Sequence, residues 1–273
     1  MGSKVFKALK KDKLSMMSLG IIIVLCVMSL FAFLSPYDPN SIDIGNKLQP
    51  PSLKHIFGTD DMGRDYFTRA LYGGRVSLMV GFSSMIISSV LGTLIGAISG
   101  YVGGVVDSLF MRTIDVLMSI PSFFLILTLN VYLKPGISTI IVIIAIFSWM
   151  GIARIIRGET LSIKEREYVT CAIAQGIKPK NIIIRHIIPN VLPSVIVASS
   201  INVAGAILME SSLSFLGLGI QAPSASWGSM LQNAQGYMMD IPSLAIFPGL
   251  LILLTVLSFN ILGDMLRDVL QGK

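Results

Sequence analysis

The chain has 273 residues, 53% of them hydrophobic and only 13% charged, with a formal net charge of +6. A soluble domain carries about 25% charged residues, so this chain has too little polar surface to cover a globule in water, and lipid is the solvent its composition fits. Excess positive charge can signal nucleic acid, but here it lies in clusters beside apolar runs, where cytoplasmic flanking segments of membrane proteins gather it.

Lys4, Lys7, Lys10, Lys11 and Lys13 precede residues 14–34, which hold no formal charge. At 1.5 Å per residue a helix of that length crosses the roughly 30 Å hydrocarbon core. The run exceeds the about 7–15 residues of a secretory h-region, and SPYDPNS after it lacks a small-x-small cleavage site. It therefore reads as a retained first span behind a basic cytoplasmic segment, residues 1–13. Residues 35–75, punctuated by Pro36, Pro39, Pro50 and Pro51 and mixed in charge, read as an external excursion.

The second span is expected at 76–99. Gly92, Gly96, Gly100 and Gly104 recur every fourth residue along it and its exit, a small-residue seam where another helix can approach closely. The third is expected at 105–133, kinked at Pro121, with Arg112 and Asp115 spaced for a local ion pair. Lys134-Pro135-Gly136 forms a tight turn into a fourth span at 137–156. A basic segment to residue 190 follows, then a fifth span at 191–211 with Glu210 near its end. A loop at 215–242 without Lys or Arg leads to a sixth span at 243–262. Counted from a cytoplasmic N-terminus, six spans return Arg267 and Lys273 to the cytoplasm and put both long basic segments inside. Cys26 and Cys171 fall in different environments, which argues against a disulfide.

Residues 154–190 combine Arg154, Arg157, Lys164, Arg166, Lys178, Lys180 and Arg185 with Glu159, Glu165 and Glu167. Two short amphipathic helices fit, broken near Gly176 and stopped by Pro189. Ile173, Ile177, Ile182, Ile183, Ile187 and Ile188 need a cover, either the chain's own membrane domain or a cytoplasmic partner. The sequence has no GxxxxGK[ST] phosphate loop, no HExxH and no CxxC, and His55 and His186 fall on opposite sides of the expected membrane. No means of hydrolysing ATP is visible. The middles of the spans are almost free of the ionisable groups a proton- or sodium-coupled carrier would place there, no inverted repeat is visible, and an intramembrane enzyme has no nucleophile–base pair to stand on.

EYVTCAIAQGIKPKNIIIRHIIPN, residues 167–190, resembles the cytoplasmic coupling motif of bacterial ABC importer permeases. Ala172, Gly176, Ile187 and Pro189 match it, Thr170-Cys171 stand where the motif has Glu-Ala, and Glu167 is the acidic residue just upstream. FGTDDMGRDYFTRALYGGRVSL (57–78), ESSLSFLGLGIQAPSASWGSML (210–231) and LGDMLRDVL (262–270) resemble the C-type permeases of the dipeptide, oligopeptide and nickel group. The resemblance implies an all-α polytopic fold, one N-terminal helix plus a five-helix permease core at 76–273, with a coupling loop at 157–190. It implies a bacterial inner-membrane permease subunit importing di- or oligopeptides, or, in the same architecture, nickel or a metal–chelator complex. The implied partners are a homologous second permease, two ATP-binding subunits that hold the ATP and Mg, and an external substrate-binding protein. No cofactor of its own and no nucleic acid partner is expected for this chain. Glu167, Thr170, Cys171, Ala172, Gly176, Ile187 and Pro189 would transmit force from the ATPases. Asp60, Gly63, Arg64, Asp65, Gly217, Gly219 and Trp227 would face the binding protein or outer gate.

Overall fold

A computed structural model describes residues 2–134 and 136–271; Pro135 of the expected turn and Lys273 of the expected basic C-terminus lie outside them. Among the described residues the fold is helical, with a single isolated bridge between Thr59 and Asp65. An amphipathic helix α1 (Gly2–Lys11) leads into α2 (Lys13–Leu30). Asp12 caps α2: the Ser15 hydroxyl and the Leu14 and Ser15 amides hold its carboxyl below the usual carboxylate range. After an irregular stretch come α3 (Tyr66–Val102), α4 (Gly104–Met118), α5 (Ser122–Tyr132), α6 (Ile137–Lys164), α7 (Glu167–Ala174) and α8 (Pro179–Ile182). One turn of π-helix, Ile183–Ile187, joins α8 to α9 (Ile188–Phe215), and α10 (Trp227–Ala234) precedes α11 (Ser243–Gln271).

Among the described residues five helical runs are long and apolar enough to cross a bilayer, namely Lys13–Leu30, Tyr66–Val102, Ile137–Lys164, Pro179–Phe215 and Ser243–Leu270. Where the third span is expected the helix is interrupted: α4 and α5 meet at 83°. Pro121 does more than kink the helix there, because it precedes α5 as its N-cap with extended ψ and no helical geometry.

The second run starts at Tyr66, ten residues before the expected 76. Arg69 and Arg75, which argued for a loop, are satisfied inside the helix. Arg69 donates to the Pro39 carbonyl at 2.8 Å, and Arg75 donates to the Ser29 and Leu30 carbonyls at 2.6 and 2.7 Å, closing the C-terminal end of α2. Pro189 does not stop a helix either. The π-turn before it sends the Ile188 amide to the Ile183 carbonyl, five residues back, which makes room for a ring that would collide with the carbonyl of a regular preceding turn.

The glycine seam packs as expected at three of its four positions. A Cβ on Gly92 would lie 2.7 Å from the Ile152 Cβ, on Gly96 2.5 Å from the Ala153 carbonyl, and on Gly100 2.8 Å from the Arg157 carbonyl, so α6 lies directly on α3. Gly104 departs from the seam: nothing lies within 4 Å of it, and it starts α4. The expected Arg112–Asp115 pair is replaced by bridges between helices, Asp115 with Arg154 and Asp107 with Arg157 (Nε–Oδ1 3.0 Å). Ser99 adds a 2.6 Å hydrogen bond to Asp107.

These contacts sort the helix ends into two groups. Lys164 donates to the Tyr101 carbonyl at 2.7 Å, bringing the ends of α6 and α3 together, and the end of α11 lies beside α1 through Leu266 and Leu270. At the opposite end Tyr66 donates to the Leu244 carbonyl at 2.7 Å and the Trp227 indole to the Ala70 carbonyl at 2.9 Å.

Candidate functional site

The first end carries the segment between α6 and α9. Glu167 stands in the first turn of α7, exposed, where a carboxylate complements the helix N-terminus. Val169 and Ala172 are buried in a cluster with Ala97, Ile152, Ile156 and Ile163, while Tyr168, Thr170, Cys171 and Ile173 lie outward. The helix therefore has one face seated on α3 and α6 and one face free. Thr170 donates its hydroxyl within α7, to the Arg166 and Glu167 carbonyls at 3.0 Å.

At Gly176 the chain turns with φ +72°; its amide donates to the Ile173 carbonyl at 2.9 Å and the Ile177 amide to the Ala172 carbonyl at 3.2 Å. That reciprocal closure of a helix end needs a left-handed residue, and glycine adopts it without a Cβ penalty. Ile187 is fully buried in the same cluster, and Pro189 is exposed at the start of α9. The six isoleucines thus divide. Ile182 and Ile187 are buried, Ile177, Ile183 and Ile188 pack partly against the same core, and Ile173 remains outside. Most of the cover that the sequence asked for is the chain's own membrane domain. The free apolar surface is smaller, made by Tyr168, Ile173 and Ile184.

The opposite end gathers the other seven expected residues into two polar clusters. Asp60 accepts from the Arg64 Nε at 2.7 Å and from the Met62 and Arg64 amides at 2.9 and 3.0 Å, with the Arg69 Nε 3.4 Å away. Gly63 closes this turn at φ +74°, and a Cβ there would lie 1.7 Å from the Asp43 carbonyl oxygen. Asp65 caps α3 through Thr68 (2.8 Å) and also meets His55 Nδ1 at 2.9 Å. All four side chains or backbones are buried, so they hold the excursion 35–65 onto the bundle rather than offer free groups.

Gly217 ends α9 in the left-handed region (φ +78°). Gly219 lies where a Cβ would be 1.9 Å from the Ser214 Oγ, and Trp227 is 1% exposed. The Trp227 amide donates to the Ser77 hydroxyl at 3.3 Å. Between these elements lies a carboxylate whose role the sequence did not disclose. Glu210 is fully buried and accepts from Ser77 at 3.1 Å and Ser214 at 2.6 Å. Ser214 in turn accepts from the Ile220 amide at 3.1 Å. Its isolation near the end of an apolar run was the available signal; Ser214 stands one turn further along α9, but Ser77 comes from α3, which spacing along one helix cannot reveal.

Comparison with known proteins spans the same elements. Residues 92–273 match the family described as binding-protein-dependent transport system inner membrane component. Residues 1–51 match the N-terminal TM domain of oligopeptide transport permease C. The chain is 42% identical to the dipeptide transport system permease protein DppC of Bacillus subtilis (strain 168), over 98% of this chain and 84% of that protein. It is 39% identical to the oligopeptide transport system permease protein OppC of the same organism, over 97% and 87%. To the glutathione transport system permease protein GsiD of Escherichia coli O6:K15:H31 (strain 536 / UPEC) it is 40% identical, over 98% and 89%.

Proposed function

The chain belongs to the binding-protein-dependent transport system inner membrane components, and from that premise we propose that it is one permease half of an ATP-driven ABC importer for di- or oligopeptides. It is a multi-pass protein of the bacterial inner membrane. The broken pair α4–α5 counts as one of six spans, and the end bearing α1, α7, α8 and the close of α11 faces the cytoplasm. Lys7, Lys10, Lys11, Arg166, Lys178 and Lys180 cluster at that end, as the positive-inside rule requires.

A homologous second permease completes the passage, two ATP-binding subunits dock beneath, and an external binding protein delivers cargo. ATP and Mg belong to the docked subunits; this chain does no covalent chemistry. Residues 157–190 form the coupling loop. The observation that carries this reading is α7, with Val169 and Ala172 fixed on the bundle and Glu167, Tyr168, Cys171 and Ile173 turned outward. A subunit that grips the outer face moves α7, and the buried face passes that motion to α3 and α6. At the far end the residues 57–75 and 215–237 shape the outer gate, Asp60, Arg64, Asp65 and Trp227 by holding its backbone rather than by touching cargo. The names of the relatives favour peptide over nickel or a metal chelate.

The test is ATPase activity in membranes carrying this chain alone or with its neighbouring gene products, with and without peptides. Activity confined to the full assembly and raised by a peptide-loaded binding protein is expected. Stimulation by nickel or a chelate instead would overturn the cargo, and uptake by the chain alone without ATP would overturn the importer reading.

A further inference from the structure

A second site lies away from the coupling segment. Between α1 and the bundle opens a cleft of roughly 620 Å³, lined by Phe6 and Leu9 of α1, Leu19 of α2, Ile196 of α9, and Phe259 and Leu262 of α11 among others. Its one polar lining residue is Ser200, whose hydroxyl is already donated to the Ile196 carbonyl at 3.0 Å. A peptide, nucleotide or free anion would find no polar partner inside, so only an apolar chain suits the interior.

The rim is different. The Lys10 ammonium sits 4.8 Å from the centroid of the Phe6 ring, at the edge of the cleft. Lys7 and Lys11 are exposed one turn apart on the same short helix, and Lys13 follows. Among the described residues none of these lysines has a carboxylate partner. The acidic groups nearby are Asp12, bonded to the start of α2, Asp264, paired with Arg267 at 3.0 Å, and the exposed Asp268. Lysines outnumber them.

We propose that this cleft holds one anionic phospholipid, an acyl chain lying between α1, α9 and α11 and the headgroup phosphate meeting Lys7, Lys10 and Lys11. An amphipathic basic helix at a membrane interface draws on both terms, apolar burial and attraction to anionic headgroups. Its placement in the inner leaflet rests on the orientation read above; the lipid preference does not.

The test is native mass spectrometry of the full chain in neutral detergent, offered phosphatidylglycerol or phosphatidylcholine with the same acyl chains. Wild type should retain one phosphatidylglycerol per chain, with about a hundred-fold preference. The triple variant K7Q/K10Q/K11Q should weaken that preference by roughly five-fold per lysine replaced, and its exposed positions leave the fold intact by circular dichroism. Leu262→Trp, which fills the cleft, should lower retention of both lipids, and inorganic phosphate should displace neither. Equal retention of the two lipids by wild type, a preference indifferent to the lysines, or displacement by phosphate alone would overturn the site. Protease access to an N-terminal tag in inside-out vesicles reports the orientation separately: cleavage places the cleft in the inner leaflet, and protection moves it to the outer leaflet and overturns the orientation.

Discussion

Single residues in this chain act through what a neighbouring helix places against them. Gly96 is the clearest, since the Ala153 carbonyl of α6 occupies the position beside its missing side chain. Gly96→Val should therefore cost about 2–3 kcal/mol through overpacking, read as a lowered Tm in detergent. Gly151→Ala on the facing helix, where nothing lies within 4 Å, should leave Tm unchanged or raise it. Glu210 works the other way, by supplying what its neighbours need. Glu210→Leu strips the acceptor from Ser77 and Ser214, and two buried hydroxyls left without it should cost about 2–4 kcal/mol. The same melt checks this, with limited proteolysis expected to open the loop between Phe215 and Trp227. Arg75→Gln should lose about 2 kcal/mol, because two charge-assisted bonds close the end of α2.

At the scale of elements, α7 and the turn after it concentrate the functional question. The space around Gly176 is open within this chain, and only its positive φ opposes a side chain. Gly176→Trp should thus cost the isolated chain only about 1–2 kcal/mol, yet uncouple ATP hydrolysis from uptake if another subunit closes over the turn. Gly176→Asn, which tolerates the left-handed region, should retain more coupling than the tryptophan variant. Normal uptake by Gly176→Trp, measured in vesicles alongside ATPase rate, would remove this turn from the coupling path. The pairs Asp107–Arg157 and Asp115–Arg154 matter at this scale too, because they tie α4 to α6. On the proposed coupling reading, motion delivered to α6 would reach α4 through those bridges.

For the whole molecule, Cys171 offers a native reporter. It is exposed on the outer face of α7, whereas Cys26 is partly buried in α2. A thiol cross-linker should join Cys171 to a cytoplasmic ATP-binding subunit in the intact assembly and not in Cys171→Ser. Capture of the external binding protein instead would invert the orientation. The lipid cleft bears on the same architecture, since α1 touches α11 at the end where α7 lies.

Much of this was legible in the sequence because the bilayer imposes a one-dimensional demand. A spanning helix needs a long apolar run whatever its neighbours do, so residues 14–34, 137–156 and 243–262 announced α2, α6 and α11, and the four-residue glycine spacing announced the face that α6 covers. The turn at Gly176 was likewise local, since a left-handed position selects its own residue. What the sequence could not decide were outcomes set by partners distant along the chain. Arg69 and Arg75 read as loop residues until the Pro39, Ser29 and Leu30 carbonyls satisfied them within a helix. Pro189 read as a stop until a π-turn accommodated its ring. Arg112 and Asp115 read as a pair until Arg154 took the carboxylate. Apolar length is a property of a segment, but the pairing of a charge or the fate of a proline depends on which atoms the folded chain brings within a few ångströms, and only the tertiary structure supplies them.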